Sequence, residues 1–472
     1  MDVETYIKAF TLIIGFYLAW NIGANDVANA MGTSVGSKAL TLKRAVILAA
    51  ILEFSGAFFV GSHVSETIQK DIIQPEIFLS NPTLFVLGMM GALFATGLWL
   101  QSASFFGLPV STTHAIIGAV VGFGMLVGGV SAVNWTELFS IASSWVFSPI
   151  LSGVISFLIF RLLQKRILFA INPLKAAKTL APFLVFGCFF VFSMSLLFEG
   201  LSNLNLDLSF SKALIFSSPI ALLAFLISYL LVQKIKVTPF QTTEQAHPEH
   251  VISIEKALKH LKRVQLTAKD ETQKKVQNIL EDVQNLNVDL RKKTRFTERT
   301  SQYLDVEKMF VFLQIMSACL VAFAHGANDV ANAIGPVAAV FSVLKSKSIL
   351  IQSEIPIWLL AMGGVGIVIG LATWGWRVIE TIGKKITELT PTRGFSAEFG
   401  AATTILIASK MGLPISTTHS LVGAVLGVGL ARGLTALNLK ILRDIFLSWI
   451  VTIPVCAVLS IVIFQILKVI FL

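Results

Sequence analysis

Apolar stretches long enough to cross a membrane recur from one end of the chain to the other. Each runs for about 20 residues, which is the helix length that spans the hydrocarbon core. Short polar intervals separate most of them, so the pattern predicts an all-α polytopic membrane protein with about twelve membrane segments. The segments lie near residues 7–32, 44–62, 83–106, 109–130, 136–160, 180–199, 212–232, 309–340, 355–376, 395–409, 414–431 and 442–470.

One long polar interval, residues 233–308, interrupts this pattern. Its apolar side chains recur at three- and four-residue steps, which places them on one face of a helix. We therefore expect two amphipathic helices that pack on each other or on the membrane surface, and we interpret the interval as a linker, with a regulatory role as the alternative. The apolar positions are Leu258, Leu261, Val276, Leu280, Val283, Leu286 and Leu290.

Composition supports a membrane protein and excludes other classes. Of 472 residues, 55% are hydrophobic and only 14% are charged, with a mean hydropathy of +0.78, far from the values of soluble domains. The net charge of +10 is typical of cytoplasmic loops beside anionic lipid, and no basic and aromatic stretch predicts nucleic-acid binding. The three cysteines lie in apolar runs without metal-ligand spacing, so we expect them to be packing residues.

Two motifs occur twice in the same order. The octapeptide Gly23–Ala30 recurs unchanged as Gly326–Ala333, and Gly107–His114 recurs as Gly412–His419 with one conservative change. The offsets of 303 and 305 residues nearly agree. The two halves of the chain are therefore two copies of one unit.

The repeat and the loop charges give a domain organisation. We expect a first repeat at 1–164, two connecting transmembrane helices at 165–232, a cytoplasmic helical insert at 233–308 and a second repeat at 309–472. Basic loops follow the first, fifth and seventh segments, which predicts that these loops are cytoplasmic and that both termini lie outside. The two copies then have inverted topology, an arrangement typical of secondary transporters.

The joint at residues 101–109, between the third and fourth segments, carries no Lys, Arg, Asp or Glu. A loop in cytoplasmic water usually carries some of these residues. We therefore predict a re-entrant hairpin whose tip, Gly107–His114, ends inside the membrane. Its inverted counterpart is Gly412–His419.

Two aspartates, Asp26 and Asp329, lie deep in apolar helices, where an ionisable group is costly and indicates a function. Asparagine side chains in the same motif supply oxygen ligands, and the glycines are expected to let the helix unwind and expose main-chain carbonyls. Such an oxygen shell suits a hard cation, of which sodium is the natural one, with a proton on the aspartates as the competing interpretation. The predicted cation site contains Asp26, Asp329, Asn29, Asn332, Gly23 and Gly326.

The Ser-Thr-Thr tracts after Pro109 and Pro414 have the form of helix N-termini. A helix N-terminus offers free N–H groups and a positive dipole end to an anion. Neither tract contains Lys or Arg, so cations must supply the balancing charge. The predicted anion site contains Ser111, Thr112, Thr113, Ser416, Thr417, Thr418, Asn25 and Asn328.

Other polar residues in apolar surroundings leave their roles open. Glu53 and Glu398 are not repeat equivalents, and ion coupling and structural pairing remain alternatives for each. For His114, His419 and His325 we expect structural hydrogen bonding in preference to proton relay.

At these motifs the sequence resembles the inorganic phosphate transporter family, PiT, and the resemblance covers the membrane portion of both halves. It implies that Asp26 and Asp329 match the family's essential acidic pair, that Glu53 and Glu398 match its two functional glutamates and join the sodium site, and that the tips bind phosphate. We therefore expect a sodium and phosphate symporter of the plasma membrane. A proton-coupled carrier of phosphate or metal phosphate and a sulfate permease are the alternatives.

The expected partners are inorganic phosphate, sodium ions and the lipid bilayer, without a cofactor, and a homodimer remains open. An enzyme is not expected. Intramembrane aspartyl proteases also use two membrane aspartates, but their second one follows Gly-x-Gly, whereas Asp26 and Asp329 both follow Gly-Ala-Asn.

Overall fold

The structure is a computed structural model that describes residues 3–170, 172–199, 208–235, 248–267, 270–297, 301–346, 355–376, 389–433 and 439–472. The described residues are almost entirely helical. This result confirms the all-α fold class that the apolar segments predict.

The helices of the first half lie in the predicted first repeat and the predicted connecting segments. They are α1 (Val3–Gly36), α2 (Leu42–Val60), α3 (Ser62–Lys70), α4 (Pro82–Phe105), α5 (Thr112–Gly128), α6 (Trp135–Leu163), α7 (Pro173–Glu199) and α8 (Phe210–Gln233). The helices of the second half are α9 (Pro248–Thr267), α10 (Asp270–Thr297), α11 (Ser301–Ser346), α12 (Ile357–Trp374), α13 (Pro391–Lys410), α14 (Thr417–Arg432) and α15 (Leu439–Phe471).

Local sequence signals set where several helices begin. Pro82 and Pro391 occupy the first turns of α4 and α13, where the missing N–H of proline has no cost. Thr41 and Asn134 cap α2 and α6 by accepting a hydrogen bond from the main-chain N–H three residues later.

Each of the twelve predicted apolar segments coincides with a helix. Within the described residues, eight helices are long and apolar enough to cross a membrane, or nine if the bent pair α2 and α3 forms one span. The difference arises because α5 and α14 have only 17 and 16 residues and because α13 carries charged residues. The number of crossings and the membrane depth of the two hairpins therefore remain predictions.

The two repeats pack on each other reciprocally. Helix α1 lies against α12 and its equivalent α11 lies against α2, while α6 lies against α14 and α15 lies against α5. Each contact thus has a counterpart in which the two copies exchange roles, which is the pattern of a two-fold arrangement. Helices α1 and α11 also contact each other.

The glycines of the duplicated motif do not unwind their helices, which corrects the prediction made from the sequence. Helices α1 and α11 run without a break through Gly23 and Gly326. A Cβ at Gly23 would lie 1.9 Å from the main-chain oxygen of Ile367, and one at Gly326 would lie 2.1 Å from that of Glu53. The glycines let the central helices touch their neighbours backbone to backbone, and the basis for assigning them as cation ligands is lost.

The polar interval forms two helices in its described part. Helices α9 and α10 pack on each other, and Val276 and Leu280 of α10 are buried. The heptad-like spacing of the apolar residues accounts for this packing. The cytoplasmic location of the interval remains a prediction.

Candidate functional site

Each Ser-Thr-Thr tract follows a tight turn at the tip of a helix hairpin. Helices α4 and α5 form the first hairpin, in which Gly107 has a φ of 66°, and α13 and α14 form the second, in which Gly412 has a φ of 67°. These left-handed conformations favour glycine because it has no Cβ. The reversal brings each tract directly to the start of the returning helix.

Ser111 and Ser416 are the N-caps of α5 and α14. Their side-chain oxygens accept hydrogen bonds from the main-chain N–H groups of His114 and His419, both at 3.2 Å. Each cap satisfies one N–H donor of the first turn. The hydrogen of the cap hydroxyl and the positive end of the helix remain available to an anion. Each tip therefore has the neutral donors that an anion site needs.

The two tips contact each other in the interior of the protein. The Thr113 hydroxyl donates to the main-chain oxygen of Ile415 at 2.9 Å, and the Thr418 hydroxyl donates to that of Val110 at 3.4 Å. All six predicted hydroxyl residues are buried. Two helix N-termini from opposite halves of the chain thus converge on one place.

Asn25 and Asn328 bind the tips to the central helices. Asn25 Nδ2 donates to Ser104 Oγ at 2.9 Å and to the main-chain oxygen of Leu108 at 3.1 Å, and its Oδ1 accepts from the N–H of Val110 at 3.3 Å. The Asn328 amide lies 3.1 Å from Ser409 Oγ in either of its two orientations. The contacts hold the tips at a fixed distance from the aspartates.

The two aspartates meet beside the tips. Asp26, Asp329 and His325 each offer one ligand atom, and these atoms lie within 4.8 Å of one another. The Thr417 hydroxyl donates to Asp329 Oδ2 at 2.9 Å, and the Thr418 hydroxyl donates to Asp26 Oδ1 at 3.4 Å. The candidate cation site and the candidate anion site therefore share hydroxyl groups.

His325 joins a third carboxylate to this cluster. Its Nδ1 lies 2.6 Å from Glu53 Oε2 and its Nε2 lies 3.0 Å from Asp329 Oδ2. Three buried carboxylates, those of Glu53, Asp26 and Asp329, thus surround one imidazole, and buried charge of one sign needs compensation. With all three carboxylates ionised, the cluster keeps a net negative charge even when His325 is protonated.

Sequence reasoning left His325 outside the predicted site. The signal was available in two forms. His325 precedes Asp329 by four residues, so both side chains lie on one face of α11, and its equivalent in the first copy is Ile22. A polar residue directly before the exact repeat in one copy, where the other copy has an apolar residue, indicates a role specific to one half.

Of the two asparagines in the predicted cation site, the structure describes the side chain of Asn332 only. Asn332 Nδ2 donates to Thr112 Oγ1 at 3.0 Å and lies 3.3 Å from Thr113 Oγ1. Its buried Oδ1 accepts no hydrogen bond from the described part of the chain and is therefore free to bind a cation. The side chain of Asn29 lies outside the described residues.

Glu398 belongs to a separate polar network between α1, α11 and α13. Its Oε1 accepts from Thr33 Oγ1 at 2.5 Å, from Ser34 Oγ at 2.6 Å and from Gln314 Nε2 at 3.2 Å, and its Oε2 accepts from Ser317 Oγ at 2.5 Å. Its carboxylate is therefore hydrogen-bonded at both oxygens, and it is not a member of the cluster around Asp26.

The two motif histidines pack against two tryptophans where the tips meet. The His114 ring centroid lies 3.9 Å from that of Trp145 and 4.4 Å from that of His419, which in turn lies 3.5 Å from Trp449. His114 Nδ1 and His419 Nδ1 lie 3.5 and 3.4 Å from the main-chain oxygens of Trp449 and Trp145. These reciprocal contacts give both histidines the structural hydrogen bonds expected from the sequence.

Comparison with known proteins gives consistent matches over nearly the whole chain. Residues 22–460 match the model of the phosphate transporter family. The chloroplastic inorganic phosphate transporter 2-1 of Arabidopsis thaliana is 45% identical over 96% of this chain and 70% of its own length. A putative phosphate permease of Chlamydia trachomatis is 44% identical over 97% of each chain.

One solved structure shares the fold. It is described as the sodium-dependent phosphate transporter, is 36% identical in sequence and has a TM-score of 0.79. The match covers 98% of this chain and 99% of the other. The likeness therefore extends to the complete helical architecture.

Proposed function

Because the chain belongs to the phosphate transporter family, we propose that it imports inorganic phosphate by symport with sodium. The observation that carries the proposal is the convergence of two capped helix N-termini beside a buried cluster of carboxylates. Neutral donors and acidic groups at one place can hold an anion only together with cations. This is the arrangement that coupled transport needs.

Phosphate is proposed to bind between the two tips. The donors are proposed to be the first main-chain N–H groups of α5 and α14 together with the hydroxyls of Ser111, Thr112, Thr113, Ser416, Thr417 and Thr418. When the anion binds, the hydroxyls of Thr113, Thr417 and Thr418 exchange their present acceptors for phosphate oxygens. Asn25 and Asn328 contribute by holding the tips in place, since their hydrogen bonds go to tip atoms. A tetrahedral oxyanion has enough acceptor oxygens for both helix ends.

Sodium ions are proposed to bind at Asp26 and Asp329, with Asn332 Oδ1 and Asn29 as further oxygen ligands. Oxygen-only shells suit hard cations. Binding of the anion then raises the affinity for the cations, and by linkage the cations raise the affinity for the anion to the same extent. Strict coupling follows because neither species neutralises the site alone.

Proton coupling is the second candidate, and His325 is the observation that favours it. An imidazole in contact with Glu53 and Asp329 can exchange a proton with either carboxylate. In the sodium mechanism the same contacts instead hold Glu53 and Asp329 in place. Glu398 is proposed to act at a distance from both, because its oxygens accept hydrogen bonds from α1 and α11.

The proposed setting is the plasma membrane, with both termini outside and phosphate moving inward. The helices that are long and apolar enough to span a membrane support the membrane location. A relative in Arabidopsis is described as chloroplastic, so members of the family serve more than one membrane.

Uptake of labelled phosphate into proteoliposomes tests the substrate. Unlabelled arsenate should compete, because it shares the shape and protonation of phosphate, whereas unlabelled sulfate should not. Sulfate competition equal to that of arsenate contradicts the proposal and assigns the protein to sulfate transport. Empty liposomes and the Asp26→Asn variant are the controls for leakage.

A further inference from the structure

The helices that lead to the two tips, α4 and α13, end in residues that differ by one charge. Lys410 is the last residue of α13 and directly precedes the turn at Met411 and Gly412. The repeat equivalent of Lys410 is Phe105, at the end of α4. One hairpin therefore carries a cation at the point where the other carries an exposed aromatic ring.

Lys410 lies where the second hairpin passes from the surface to the anion site. Met411 is 67% exposed, whereas Ile415, four residues later, is 1% exposed and contacts Thr113. Helix α3 covers this turn, since the Thr67 hydroxyl donates to the main-chain oxygen of Gly412 at 2.8 Å. The turn between Lys410 and the buried tract is thus the mouth of the second tip.

Among the described residues, Lys410 has no charged partner. Its Nζ donates to the main-chain oxygen of Phe198 at 2.9 Å and lies 4.1 Å from the centre of the Phe198 ring. Both partners are uncharged, and no carboxylate of the described residues forms an ion pair with it. A cation without a carboxylate partner among the described residues, placed at the exposed turn before the tip, creates a positive potential that reaches an approaching anion.

We propose that Lys410 recruits phosphate to the mouth of the second tip and thereby sets the rate of substrate capture on that side. The inference rests on the proposed function. A lysine suits the role because its charge sits on a flexible four-carbon stem. Lys410 can leave the weak contacts with Phe198, meet the hydrated anion, and return after the anion has passed to the neutral donors of the tips.

The charge difference between the two hairpins distinguishes the side of phosphate capture from the side of release. Helix α3 and the end of α7, which border the mouth of the second tip, belong to the side that the loop charges predict to be outside. Lys410 therefore faces the compartment from which phosphate is captured. The first tip, with Phe105 and Phe106 exposed, offers no charge that would hold the anion during release.

The alternative is a purely mechanical role. Phe198 lies in the last turn of α7, and a lysine that donates to a C-terminal carbonyl also stabilises a helix end. Charge and salt dependence separate the two roles, because a mechanical link depends on the hydrogen bond and recruitment depends on the long-range field.

The experiment measures kcat/KM for phosphate uptake in Lys410→Arg, Lys410→Met and Lys410→Glu at fixed sodium, with ionic strength raised by choline chloride. At low ionic strength we expect Lys410→Arg to retain the wild-type value, Lys410→Met to lose about threefold to tenfold, and Lys410→Glu to lose more. The differences should shrink above about 0.15 M salt, where the Debye length is about 8 Å. Phe198→Leu, which removes the ring but keeps the charge, should transport like the wild type.

Two results overturn the inference while the proposed function stands. One is equal kcat/KM in Lys410→Met and the wild type at low ionic strength. The other is equal losses in the methionine and glutamate variants that do not change with salt. Failure of the wild-type protein to take up phosphate with sodium contradicts the proposed function itself.

Discussion

Replacing Gly326 by alanine tests whether the close approach of α11 and α2 sets the geometry of the site. The added Cβ would lie 2.1 Å from the main-chain oxygen of Glu53 and 2.8 Å from its carbonyl carbon and Cα. These atoms belong to the backbone and cannot rotate away. Ordinary contact begins at 3.4 Å, so the two helices must separate by about 1.3 Å, the difference between 3.4 and 2.1 Å.

Overpacking of this kind costs about 1–3 kcal/mol. Separation of the helices also draws Glu53 away from His325, which directly precedes Gly326 in α11 and lies 2.6 Å from the Glu53 carboxylate. We therefore expect Gly326→Ala to lower the thermal midpoint of unfolding and to raise the sodium concentration needed for half-maximal uptake.

The assay pairs thermal unfolding of the purified protein with sodium-dependent uptake in proteoliposomes. Gly187→Ala is the matched control, because it is also a helical glycine and its nearest neighbour, in the Phe399 ring, lies 3.7 Å from the added Cβ. The control should behave like the wild type. Equal unfolding and equal uptake in the two variants would refute the argument from backbone contact.

Three further predictions concern the carboxylates and the topology. Thr417→Val removes a hydroxyl that donates to Asp329 at the edge of the anion site, so the KM for phosphate and the sodium concentration needed for half-maximal uptake should rise together; unchanged values of both argue for a structural tract. Glu53→Gln removes one negative charge beside His325 and should weaken the sodium dependence of uptake, whereas an unchanged dependence places Glu53 outside the coupling site. A single cysteine at Gln265 should react with impermeant reagents only from the cytoplasm, and labelling from outside contradicts the inverted assignment.

The sequence predicted those parts of the fold that depend on local pattern. Apolar segments, the duplicated motifs and the capped starts of α5 and α14 follow from residues close together in the chain. The aspartates could be assigned to a functional centre for the same reason, because an acidic residue in an apolar helix is informative by itself.

The remaining features depend on which helices touch, and no local pattern reveals that. Gly23 and Gly326 were expected to unwind their helices, since nothing in the motif shows that Ile367 and Glu53 press against them. The hydroxyls around Glu398 come from helices far apart in sequence, and for that reason its network was not foreseen.

Uptake under a single imposed gradient tests the central claim most directly. Proteoliposomes that hold the protein receive an inward sodium gradient at fixed pH, with and without Asp26→Asn or Asp329→Asn. Since phosphate enters a site without Lys or Arg, and the aspartates hold the compensating cations, we predict accumulation of phosphate in the wild type and none in either variant. Full uptake in sodium-free buffer, driven by a proton gradient alone, would contradict sodium coupling and favour the proton-coupled mechanism.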